Sequence, residues 1–85
     1  MNIIICDDRK DDRNNLVNLL SEYAKKKNYD FNITEYASGE QLCESLSVLG
    51  ECQLLFLDIN MQGIDGLKTA KKIKEKYPRL PVVLV

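Results

Sequence analysis

Two short apolar runs, each ending abruptly in aspartate, limit what this chain can fold into more than any other feature. Residues 2–6 read N-I-I-I-C and run into Asp7 and Asp8; residues 54–57 read L-L-F-L and run into Asp58. A short apolar run bounded by polar residues is the pattern of a strand buried on both faces, which is the habit of parallel sheets. Between the runs the apolar period becomes helical. Leu16, Leu20, Tyr23 and Ala24 recur at helical spacing within residues 11–27, and Lys25, Lys26 and Lys27 suit a helix C-terminus.

The alternation continues along the chain. Residues 31–36, F-N-I-T-E-Y, are rich in strand formers and read as an edge strand. Ser38 and Gln41 then fit a capping box, predicting a helix through Leu42, Leu46 and Leu49 that stops near Gly50. Residues 60–66 hold two glycines, Gly63 and Gly66, and read as a loop whose glycines permit positive φ. Leu67, Ala70, Ile73 and Tyr77 predict a third helix that Pro78 ends, and residues 80–85 a fourth strand. The order β-α-β-α-β-α-β implies an α/β fold: an open parallel sheet with right-handed crossovers and helices on both faces.

Composition narrows the function classes. With 85 residues the chain has room for one domain, here residues 1–85. Twelve Lys and Arg against thirteen Asp and Glu give a net charge of −1, not the basic excess of a direct nucleic-acid binder. No apolar run approaches the length needed to span a bilayer, and the N-terminus enters a strand without a basic leader. A cytoplasmic protein without membrane contact is therefore expected. Cys6, Cys43 and Cys52 form no C-x-x-C and there is no His, which argues against zinc and against a disulfide scaffold. Three reduced thiols in or near the core are expected, with a redox role for Cys6 as the lesser alternative. Lys68, Lys71, Lys72, Lys74 and Lys76 read as a solvated helix face.

The chemistry lies in the aspartates. In open α/β sheets ligands bind at the carboxyl rim. If the first and third strands are neighbours, Asp7, Asp8 and Asp58 converge there. Three ionised carboxylates that close repel one another unless a cation sits among them, and Mg²⁺, a hard ion that keeps several waters, suits such a site. The bland alternative is that Asp8 or Asp11 only caps the first helix.

I-I-I-C-D-D at 3–8, L-L-F-L-D-I-N-M at 54–61 and G-I-D-G at 63–66 together resemble the receiver domain of bacterial two-component response regulators, element for element along the chain. The resemblance implies a flavodoxin-like receiver fold with strand order 2-1-3-4. It implies that Asp58 is the phosphoacceptor, taking a phosphoryl group from a phosphohistidine of a sensor histidine kinase. It also implies that Mg²⁺ is held by Asp7, Asp8, Asp58 and the backbone carbonyl of Asn60. Met61, Gly63, Asp65 and Gly66 match the loop behind the acceptor, Met61 as packing. A carboxylate nucleophile is ionised at neutral pH, so no general base is needed and the lack of His is no objection. Such a domain is a phosphoacceptor and not an enzyme, beyond Mg²⁺-dependent gain and loss of its own phosphoryl group.

The sequence departs from the family pattern in two places. Gln62 stands where Pro is common. The hydroxyl at the end of strand four, the fourth helix, the fifth strand with its phosphate-contacting Lys and the fifth helix are not among these 85 residues, which implies a receiver truncated after its fourth strand. The first half resembles regulators with a LytTR-type output, so contact with DNA is expected only through a domain outside this chain. An exposed fourth strand would favour a homodimer or higher assembly through that strand. The competing reading is a non-phosphorylated pseudo-receiver, a module for self-association or protein interaction. A haloacid-dehalogenase-like phosphatase needs a second Asp two residues after the first, where Arg9 stands, and a flavin-binding role would crowd a phosphate against Asp7 and Asp8.

Overall fold

The computed structural model of the chain describes residues 1–61 and 65–85. It contains β1 (Asn2–Cys6), α1 (Lys10–Lys27), β2 (Asn32–Tyr36), α2 (Gly39–Glu44), a 3-10 segment (Leu46–Glu51), β3 (Leu54–Leu57), α3 (Gly66–Lys76) and β4 (Val82–Leu84). The strands form one sheet in the order β2-β1-β3-β4, with parallel pairing between neighbours. This is the flavodoxin-like order that the resemblance implies, with β2 at an edge as the sequence predicts. The expectations for Gln62 and Gly63, and for the side chain of Leu46, lie outside the described residues.

Strand alternation divides the apolar residues between two faces. Ile4 and Cys6 pair in register with Leu55 and Leu57, and all four join Leu42, Leu49, Cys52, Met61, Ile73 and Leu80 in one buried cluster. Ile3 and Ile5, 1% exposed, point the other way, and their partners Leu54 and Phe56 are only half-buried. That second face lies under α1, where Arg13, Leu16, Val17, Leu20 and Ala24 form a half-buried stripe and no residue is fully buried. Tyr23, expected on the apolar stripe, is exposed. At the C-terminus of α1, Asn28 takes the left-handed conformation (φ 57°) and donates back to the helix, as a short polar side chain allows.

The capping box forms. Ser38 Oγ accepts from Gln41 N at 3.1 Å, while Gln41 Oε1 accepts from Ala37 N, one residue earlier than the motif prescribes. The helix it starts is shorter than expected. After Glu44 the chain tightens at Ser45, whose N–H donates to Leu42 O, and continues as the 3-10 segment. Ser45, Ser47, Val48 and Gly50 are all weaker helix formers than Leu or Ala, so the α-helix is not propagated.

In α3 the apolar face is rotated from the expected one. Ala70, Ile73 and Tyr77 pack on the core, but Leu67 is 55% exposed and Thr69 is buried in its place. Thr69 tolerates burial because its hydroxyl donates to Asp65 O at 3.1 Å. The five lysines of this region are exposed, as expected. All three cysteines are free, Cys6 and Cys52 buried and Cys43 half-buried. No helix among the described residues is long and apolar enough to cross a membrane.

Candidate phosphoacceptor and metal centre

The register Cys6↔Leu57 brings the carboxyl ends of β1 and β3 side by side, so Asp7 and Asp58 leave the sheet as neighbours. Backbone bonds hold them there. Asp58 N donates to Cys6 O at 2.9 Å, and Asp7 N donates to Tyr36 O of β2 at 3.0 Å. One carboxylate oxygen from each of Asp7, Asp8 and Asp58 lies within 4.8 Å of the others, and all three residues are half-buried. Asp7 Oδ1 accepts from Arg9 N and Asp58 Oδ1 from Asn60 N, each at 2.9 Å. These turns, in which an Asp side chain bonds the main chain two residues on, fix both carboxylates at the rim. The N-cap of α1 is Arg9, without a side-chain cap, so neither Asp8 nor Asp11 is held as its capping residue.

Electrostatics agree with crowding. Burial, the largest cause, raises the pKa of Asp7 above its ordinary 3.8; the Arg9 N–H opposes this, and the charge of Asp58 with a hydrogen bond between the two carboxyls adds to it. Such a site is high in energy when empty of cations, and its all-carboxylate donors fit a hard divalent ion.

Below the aspartates the floor is inert. Cys6 Sγ contacts Ser38 O at 3.4 Å and Met61 Sδ at 3.7 Å. Burial first, then the charge of Asp7, pushes its thiol up to about 12, so it carries no thiolate for redox chemistry near neutral pH. Met61 is buried packing, as expected.

Two contacts at the rim are not evident from the sequence pattern. Gly66 was expected as a loop glycine permitting positive φ, but it is the first residue of α3, and its φ does not enter that region. It is needed for space: a Cβ there would stand 2.4 Å from Asp58 O and 2.5 Å from Ile59 Cα. Asp65 caps this helix, accepting from Leu67 N at 2.8 Å, so the close approach fixes the exit of β3. The other is Arg13, whose Nη1 donates to Asp7 O at 2.7 Å. The signal was present, since Arg13 is the charged member of the stripe Arg13, Leu16, Val17, Leu20.

Known proteins agree with this arrangement. The family described as response regulator receiver domain matches residues 3–85. The DNA-binding transcriptional regulator NtrC of Klebsiella pneumoniae is 36% identical over 52 residues, which make up 61% of this chain and 11% of that protein. The chain thus spans a small part of this curated relative. The receiver domain of the hybrid histidine kinase CckA superposes with a TM-score of 0.79 at 26% identity, covering 99% of this chain and 73% of that one. A response regulator, TrrA, solved in complex with the histidine kinase ThkA gives a TM-score of 0.66 at 30% identity, over 98% of this chain and 66% of that one. With its sheet order, its acidic rim and the match over residues 3–85, the chain belongs to the response regulator receiver domains of two-component signal transduction.

Proposed function

We propose that Asp58 accepts a phosphoryl group from a sensor histidine kinase, with Mg²⁺ held by Asp7, Asp8, Asp58 and the backbone carbonyl of Asn60. The observation that carries this reading is the convergence of three carboxylates within 4.8 Å at the ends of β1 and β3. An Asp58 carboxylate oxygen attacks phosphorus; the new P–O bond forms as the P–N bond to the kinase imidazole breaks, and the electron pair leaves on that nitrogen. Asn60 N–H holds one oxygen of Asp58, which orients the carboxylate. Mg²⁺, when bound, supplies charge neutralisation for the carboxylates and the phosphoryl oxygens. Receiver domains interact with histidine kinases, as in the ThkA–TrrA complex, and we assign this chain the same class of partner and a cytoplasmic site of action. A pseudo-receiver would have no use for so costly a cluster of like charges.

We also infer self-association through β4. It is one of the two edge strands of the sheet among the described residues, with Val83 42% and Leu84 47% exposed. Light scattering across a concentration series reads this directly: a monomer throughout would refute it.

The phosphoacceptor reading is tested by incubation with acetyl phosphate, with and without Mg²⁺, followed by intact mass. One phosphate adduct that requires Mg²⁺ and is lost in Asp58→Asn supports it. No adduct at any Mg²⁺ concentration overturns it in favour of the interaction module.

A further inference from the structure

We propose that Arg13 is a positioning residue of the acidic site, clamping the peptide that joins Asp7 to Asp8 and anchoring it through Glu35 to the edge strand β2. This rests on the phosphoacceptor reading above. Arg13 Nη1 donates to Asp7 O at 2.7 Å, and its Nε faces Glu35 Oε1 at 3.4 Å. The arginine side chain is only 15% exposed. Its Nε is shut off from solvent and has no hydrogen bond among the described residues, a costly placement for a guanidinium. A residue that served only solubility would extend into water instead.

The geometry shows what the clamp fixes. Asp7 N is already held by Tyr36 O of β2, so Arg13 completes the restraint by taking the carbonyl of the same residue. That carbonyl belongs to the Asp7–Asp8 peptide, and its direction sets where both side chains start. Arg13 acts on the main chain, because Asp7 Oδ1 takes its hydrogen bond from Arg9 N. Glu35 pairs in register with Ile5 and lies beside the exit of β1. The clamp thus ties two proposed metal ligands to β2, which contributes no ligand of its own.

Groups that hold metal ligands in place typically matter by 10–100-fold in affinity, and a main-chain clamp belongs at the lower end, about tenfold. The test is a Mg²⁺ titration of the 85-residue chain followed by amide NMR shifts, at a temperature where circular dichroism shows each variant folded. Arg13→Ala should weaken Mg²⁺ binding by about that factor. Arg13→Lys, which keeps the charge and a donor, should recover part of the loss. In acetyl phosphate labelling, half-saturation should move to higher Mg²⁺ by the same factor while the rate at saturating Mg²⁺ is retained. A lower melting temperature with unchanged Mg²⁺ affinity would make Arg13 merely structural and overturn the proposal. If Arg13→Ala does not fold, Arg13→Lys and Glu35→Gln decide: weaker Mg²⁺ binding in either supports the clamp, and parental affinity in both refutes it. A parent chain that binds no Mg²⁺ overturns the phosphoacceptor reading along with the clamp, whereas a parent that binds and variants that match it overturn the clamp alone.

Discussion

On one face of the sheet Ile4, Cys6, Leu55 and Leu57 are closed in by Leu42, Leu49 and Ile73; on the other, Ile3 and Ile5 lie under α1, a helix without one fully buried residue. The same strands feed both faces, so the difference comes from the helices. α2, the 3-10 segment and α3 bring small and branched residues to the sheet, while α1 brings a half-buried stripe headed by a charge. The acidic site spans this difference. Asp58 is fixed from the closed face by the approach of Gly66, and Asp7 and Asp8 are fixed from the open face by Arg13.

The contrast can be broken by truncating each face. Leu55→Ala should cost about 3 kcal/mol of unfolding free energy, since the site is closed on every side and a cavity remains. Leu20→Ala on α1 should cost about 1 kcal/mol, the centre of the ordinary range. Urea unfolding measures both, and equal losses would contradict the inequality of the faces.

Gly66→Ala should cost about 2 kcal/mol by overpacking, because the added methyl meets backbone atoms, which cannot move aside as a side chain can. It should also slow labelling of Asp58, whose carbonyl is the atom displaced. Parental stability and labelling would show that the approach of α3 to β3 is relaxed in solution.

Asp7 links the site to pH. Its pKa is raised in the folded state, so the folded chain holds that proton more tightly than the unfolded one. The associated stability is fully present below the unfolded value of 3.8 and is lost as pH rises through the higher folded value. In the presence of a chelator, Asp7→Asn should therefore gain stability relative to the parent as pH rises, and Mg²⁺ should shrink the gap. A gap independent of pH would contradict the raised pKa of Asp7.

The smallest effect concerns the thiols. Cys43 is half-buried, whereas Cys6 and Cys52 belong to the closed core, where burial raises both thiols. Iodoacetamide should modify Cys43 first, read by peptide mass. Modification of Cys6 at the same rate would mean the closed face opens readily.

What the sequence revealed follows from the kind of signal. The strands were legible because β1 and β3 are apolar runs with sharp polar ends, and the acidic rim followed from those ends. The capping box was legible because Ser38 and Gln41 act locally. The 3-10 segment was not, because Leu42 and Leu49 keep a helical period while Ser45 and Gly50 withhold the propensity to sustain it. Leu67 was misplaced because Thr69 gains burial through a hydroxyl bond to Asp65, which periodicity of apolar residues does not register. Gly66 and Arg13 depend on contacts between distant segments. Their roles emerge only once α3 meets β3 and α1 meets β1.

The most direct test of the account is to locate the phosphoryl group. After labelling with acetyl phosphate and Mg²⁺, borohydride reduction converts an aspartyl phosphate to homoserine, which peptide mass spectrometry assigns to a residue. The account predicts homoserine at position 58 alone, with Asp7 and Asp8 unchanged. Conversion at Asp7 or Asp8, or none at any Mg²⁺ concentration, would contradict it.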